Sequence, residues 1–245
     1  MAIINSPKKF KPDVFKLTEF RIKLVMKYVV YCYLEMVKDG KKYDFSKRGK
    51  LQQEDFLRNG LVDDYLSKKE YKDHYKKHIS DNPLVEIYFQ KEENQSYLLG
   101  GVLADDYIDI SIKETRLSDI LGATTSDEIK FAVECKRIKG SSDYDEYIKD
   151  IQKFADRPFT TYRLPYEGQI GFIEVDSISH TIASTEINKK LKTTSTITTL
   201  KYLTINNFHE KFDGGYLSIH ARNYDKKQGF SIFHLFLNYS QIVSI

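Results

Sequence analysis

Phe131-Ala132-Val133-Glu134-Cys135-Lys136-Arg137-Ile138 is the stretch on which the reading of the whole chain turns. A β-strand sends successive side chains to opposite faces. From Ile129 onward, Ile129, Phe131, Val133 and Cys135 therefore face one way, and Lys130, Ala132, Glu134 and Lys136 the other. Glu134 and Lys136 leave the strand side by side. A carboxylate and an ammonium at the end of an otherwise apolar strand cost free energy unless they pair or bind something. Gly140 ends the segment.

Upstream, Tyr107 to Lys113 alternates in the same way, with Ile108, Ile110 and Ile112 on one face and Tyr107, Asp109, Ser111 and Lys113 on the other. If the two strands are neighbours, Asp109 and Glu134 converge on one hard cation. Two carboxylates, the backbone carbonyl of Cys135 and several waters make an oxygen set suited to Mg²⁺. Such an ion polarises a phosphoryl oxygen and acidifies a bound water. Lys136 would orient that water and offset charge at phosphorus, with Arg137 and Lys139 on the flanking phosphates. Downstream, Asp143 and Glu146 form a capping-box pattern for a helix over 143–156. Tyr144, Ile148, Ile151 and Phe154 keep helical spacing, Pro158 stops the helix, and Gln169 to Val175 reads as a further strand.

An upstream strand Asp109, then Glu134-x-Lys136 at the end of an apolar strand, then an amphipathic helix and a strand, resembles the PD-(D/E)XK nuclease superfamily over roughly residues 50–176. The resemblance implies an α/β fold with a restriction endonuclease-like core: helix, three-stranded meander, helix and strand on a central mixed sheet. It implies a Mg²⁺- or Mn²⁺-dependent phosphodiesterase, read here as a DNA endonuclease of restriction or phage defence, with nucleic acid as partner. It further implies Glu54 as an added carboxylate, with Asp55 second, and Gln152 and Lys153 as polar partners from the later helix, with Lys149 beside them. The family's proline is absent, since Asp105-Asp106-Tyr107-Ile108 precede Asp109. Strand parity selects Asp109 over Asp106, an argument that a bulge would reverse. Cutting both strands of a duplex calls for two active sites, hence a homodimer, and a partner ATPase or helicase subunit fits the same reading. The alternative is a non-catalytic nucleic-acid-binding or partner-docking subunit on the same fold.

The flanks are expected to extend a single domain over 1–245, with N-terminal helices (1–49) and a C-terminal extension (177–245) ending in a hairpin. Residues 13–38 read as a long helix apolar on most sides, and 49–68 as a second, amphipathic helix. Leu84 to Phe89 and Tyr97 to Leu103 read as strands on either side of a polar turn at Lys91–Ser96, and 114–127 as a polar connection. The Thr-rich stretch 185–203 is ambiguous. Tyr216 to Arg222 and Phe230 to Tyr239 read as the hairpin, where Ser218, His220 and Arg222 share a face with His234 across from them. That face reads as the solvent side of a sheet or as a phosphate-binding surface carried by His220 and Arg222.

Composition narrows the classes. The 245 residues are 41% hydrophobic and 30% charged, with 18 Tyr, 15 Phe and no Trp, enough for a core and unlike a disordered tail. Lys and Arg exceed Asp and Glu by three, 38 against 35, so a nucleic-acid surface must be local. Residues 1–50 hold 13 of the basic residues against five acids, a solvated face or a phosphate-facing one. Two distant cysteines, Cys32 and Cys135, make no disulfide framework. The apolar run Leu24–Val37 is short and interrupted by Lys27 and Glu35, against a membrane span or signal peptide, so a cytoplasmic location is expected. His74 and His78 have helical zinc spacing without a third ligand. Cys135 falls on the apolar strand face as a small hydrophobe. Gly-rich phosphate loops and G-x-S-x-G elbows are absent.

Overall fold

The computed structural model describes residues 12–78, 86–99, 102–114, 130–158 and 164–244. Pro12 opens α1 (Pro12–Lys38) at the helical position where its missing N–H costs nothing. Ile22, Val25, Met26, Tyr28, Val29, Cys32 and Met36 are all buried, so the helix is packed around most of its circumference, as its apolar pattern implies. Gly40, at φ 64°, turns the chain out of it.

A two-residue strand β1 (Tyr43–Asp44) and a short 3₁₀ turn lead into α2 (Gln53–Leu61). The helix expected over 49–68 therefore starts at Gln53, and it widens into a π-turn over Val62–Leu66 before α3 (Lys69–His78).

Then come β2 (Ile87–Leu99), β3 (Val102–Glu114), β4 (Phe131–Ile138), α4 (Ser141–Asp156), β5 (Tyr166–Ile173), α5 (His180–Thr193), β6 (Thr199–Ile205), β7 (Gly215–Ala221), β8 (Gly229–Asn238) and β9 (Val243–Ser244). Among the described residues seven strands form one mixed sheet in the order β2-β3-β4-β5-β8-β7-β6. β2, β3 and β4 form an antiparallel meander, and β4, β5 and β8 run parallel. β8, β7 and β6 are antiparallel. The C-terminal hairpin thus continues the central sheet rather than standing apart from it. β1 pairs separately with β9.

The sheet divides two cores. Phe131, Val133 and Cys135 of β4 pack with α1, α2 and α3. Ala132 and Ile138 pack on the other face with α4 and α5. The result is an α/β protein in three layers. Among the described residues no helix is long and apolar enough to cross a membrane.

Three local expectations change. Lys91–Ser96 is no turn: it stays in β2, where Glu93 pairs with Ile108 and Ser96 with Asp105, and its polar side chains find partners, Glu93 on Lys130 and Ser96 on Asp105. Asp143 is not the residue before α4 but its third, and its carboxylate reaches back to the amides of Lys139 (2.7 Å) and Gly140 (3.0 Å). The Thr-rich stretch resolves into α5, capped by Ser179, and the edge strand β6. Beyond Glu114, the connection expected over 114–127 lies outside the described residues.

Candidate active site

Among the described residues β3 and β4 pair over three positions, ending at Ile110 opposite Val133. There β3 rolls over. Ile110 and Ile112 pack on the α1 side, whereas Ile108 packs on the α4 side, so the three isoleucines do not share a face. The roll coincides with Glu92 of β2, which lies between the pairs Lys91–Ile110 and Glu93–Ile108 and takes φ 52°. Asp109 sits at this break.

Its carboxylate does what the ladder no longer does. Asp109 Oδ2 accepts the amide of Cys135 at 2.8 Å. In extended backbone a residue's N–H and C=O leave on the same edge, so the Cys135 carbonyl is aimed into the same gap. The residue before that amide is Glu134, whose carboxyl lies close enough to Asp109 for the two charges to act on each other. Burial pushes the Glu134 carboxyl well up from its usual value, and the nearby Asp109 and Asp150 carboxylates push it further. Only 5% of Glu134 is exposed.

Lys136 Nζ lies 2.9 Å from Glu54 Oε1 and 3.4 Å from Asp150 Oδ2. Burial opposes its charge, but Asp150 and Glu54 outweigh burial and raise its pKa. Glu54 Oε2 also accepts the Arg137 amide at 3.2 Å, tying the start of α2 to the end of β4. Burial raises the Glu54 carboxyl against the pull of Lys136. Glu54 is therefore spent on Lys136 and backbone. Among the described residues no three Asp, Glu, His or Cys side chains group as metal ligands, so Glu54 does not join Asp109 and Glu134 as a third.

The remaining candidates divide. Lys153 Nζ sits 3.1 Å from Asp150 Oδ1 and 4.0 Å from Asp106. Gln152 turns to the outside, bonding Asp156 and Thr196, because it lies one residue round the helix from the face that meets the sheet. Arg137 is held by Glu174 and Gln53 and lies 5.1 Å over the Phe45 ring, so its charge is already paired although it lines the cleft at the end of β4. Lys139 is exposed at the rim of a cleft of about 460 Å³ that it shares with Arg48, Glu54 and Lys136. A larger cleft of about 610 Å³ beside Lys41, Lys47, Asp63 and Asp64 has its acids paired already, Asp64 with Lys41 and Asp63 with Lys91.

His220 and Arg222 meet no phosphate. They are interior, because α4 and its end cover the face of the hairpin that alternation alone left open. Arg222 pairs with Glu167 at 3.0 Å and donates to the carbonyls of Phe154 and Leu164. His220, Ser218, His234 and Tyr147 form a buried hydrogen-bonded row: Ser218 Oγ is 2.8 Å from His220 and 2.7 Å from His234, and Tyr147 bonds His234 at 2.9 Å. Burial lowers His220 to about 3 and His234 well below its ordinary value. Both are neutral when folded and take protons when unfolded, so stability falls as pH drops through 6.5. At pH 5 His220 alone should cost about 2 kcal/mol relative to pH 7.5, with His234 adding in the same direction. Denaturant titrations at the two pH values check this, and equal midpoints would refute it.

No protein-family model, curated protein or solved structure matches this chain.

Two residues of the cluster carry only faint sequence signals. Asp150, 1% exposed, is the one acid on the Tyr147–Ile151–Phe154 face of α4. Arg58 of α2 is buried, with Nη1 2.8 Å from Asp109 Oδ1 and 3.3 Å from Asp55, and it also reaches Glu92. His74 bonds the Tyr31 hydroxyl and packs on His78, without a third ligand among the described residues. Cys135 is buried on the α1 side, and burial pushes its thiol well up, as suits an inert hydrophobe.

Proposed function

We propose that the protein is a Mg²⁺- or Mn²⁺-dependent nuclease, a DNA endonuclease of the restriction endonuclease-like kind serving in defence. The observation that carries this reading is the Asp109 carboxylate accepting the Cys135 amide at 2.8 Å, between Glu134 and Lys136 in the chain, at the point where β3 leaves β4. In its support, α2 and α3 precede the meander β2-β3-β4, and α4 and β5 follow it.

The donor set fits the metal. Asp109, Glu134 and the Cys135 carbonyl are hard oxygen donors, and Mg²⁺ keeps several waters instead of demanding an all-protein cage. The like charge that raises Glu134 is the charge a divalent cation would neutralise. Bound there, the metal supplies Lewis-acid polarisation of a phosphoryl oxygen and a more acidic water. The protein's own part is positional. Asp109 and Glu134 fix the donors, and Lys136, kept charged by its neighbours, donates to a non-bridging oxygen as negative charge builds at phosphorus. Water adds to phosphorus and one ester oxygen leaves as an alcohol. Arg48 and Lys139 at the cleft rim would take the adjoining phosphates.

Incubation with supercoiled plasmid, linear duplex and labelled RNA tests this. Nicked or linear products are expected in Mg²⁺ or Mn²⁺ and none in chelator. No cleavage of any substrate at any enzyme concentration would sink the nuclease reading. Arg58 favours a second reading, a non-catalytic nucleic-acid-binding subunit, because its guanidinium already neutralises Asp109. That reading expects salt-dependent binding of the same substrates without a cut.

A further inference from the structure

We propose that Asp150 is a positioning residue for Lys136, holding its ammonium against Glu54 so that it points at the phosphate before substrate arrives. Lys136 has a flexible four-carbon stem and would otherwise sample many rotamers. Here its Nζ lies between two carboxylates, 2.9 Å from Glu54 and 3.4 Å from Asp150. The two acids come from helices in different layers, α2 on the α1 side and α4 on the other. The lysine is therefore fixed against both halves of the molecule.

Asp150 has little other reason to be where it is. It is 1% exposed, among Tyr147, Ile151 and Phe154. A buried carboxylate in such surroundings is costly without cations, and well-packed apolar residues often serve stability better. Its Oδ1 meets Lys153 at 3.1 Å, one turn along the same helix. Among the described residues its Oδ2 accepts no hydrogen bond, and the Lys136 ammonium lies 3.4 Å from it. A purely helical ion pair with Lys153 would leave no reason to aim that second oxygen at the end of β4. A metal-ligand role is disfavoured, since Asp150 does not group with Asp109 and Glu134 as a metal-binding set among the described residues. It acts through Lys136.

The consequence for cleavage rests on the nuclease reading, so the test carries one readout that does not. In protein labelled with ¹⁵N-lysine, the ammonium signal of Lys136 is identified by its loss in Lys136→Arg. Asp150→Asn should shift that signal or broaden it beyond detection, while Lys153→Met leaves it in place. In cleavage assays Asp150→Asn should lower kcat about 10- to 100-fold, with KM for the DNA within about twofold. If the amide variant does not fold, Asp150→Ser is read the same way. An unchanged Lys136 signal in the Asp150 variant overturns the proposal. So does a loss of Mg²⁺ binding by calorimetry as large as that of Glu134→Gln, which would make Asp150 a ligand. A native chain that cuts nothing sinks the nuclease reading, whereas a Lys136 signal lost with Asp150 still upholds the positioning.

Discussion

Glu134→Gln should lose metal-dependent cleavage by about three orders of magnitude or more, roughly 4 kcal/mol of transition-state stabilisation, while making the metal-free protein more stable. The two effects have one cause. Glu134 is buried against Asp109 and near Asp150, and its pKa lies well above that of an exposed carboxyl. With the folded value raised, the charged form is penalised in the native state, so stability is present at low pH and is lost as pH rises beyond the unfolded value of about 4.5. An amide of the same shape removes that penalty and gives Asp109 a neutral donor. Each pH unit of penalty relieved is worth about 1.4 kcal/mol, or roughly 2–4 °C in Tm per kcal/mol for a chain of this size. Calorimetry should show Mg²⁺ binding lost and thermal unfolding in chelator should show Tm raised. A Gln variant that binds Mg²⁺ as the native chain does would remove Glu134 from the metal site. A lowered Tm would contradict the electrostatic account.

Arg222→Ala should cost about 3–5 kcal/mol of stability and lower Tm by roughly 10 °C. Arg222 and Glu167 are both within 2% of complete burial, and the guanidinium also serves two carbonyls at the end of α4 and the start of β5. Truncation strands a buried carboxylate. The double change Arg222→Met with Glu167→Gln should recover much of the loss, because replacing both partners leaves no uncompensated charge. Should Arg222→Ala instead keep its Tm and lose affinity for DNA, Arg222 would belong to the surface after all.

What the sequence made legible, and what it hid, follows from which layer decides each residue. The Phe131–Ile138 alternation decides that Glu134 and Lys136 leave together, and Asp109 reaches them from the neighbouring strand just past the end of the β3–β4 ladder. Helix phase places Tyr144, Ile148 and Ile151 on the buried face of α4, and Asp150 shares that face, but nothing in the local pattern says that a lysine from β4 meets it there. His220 and Arg222 went the other way. Alternation in β7 groups them with Ser218 correctly, but whether a face meets water depends on the helix laid over it, which no strand pattern encodes. Nor does local pattern reveal that Ile108 and Ile110 pack in different cores, since that roll of β3 is set by its neighbours.

The short seam between β3 and β4 bears on how any mutational map of this protein is to be read. With three residue pairs joining the ribbon to the rest of the sheet, the Asp109 side chain is also a fastener, stitched to the Cys135 amide and to Arg58. Removing it unpicks a join as well as a donor, so an inactive Asp109→Ala protein is ambiguous by construction. Glu134 lies on the firmly paired side, where β4 is knit to β5 over six positions, and its loss carries no such double meaning.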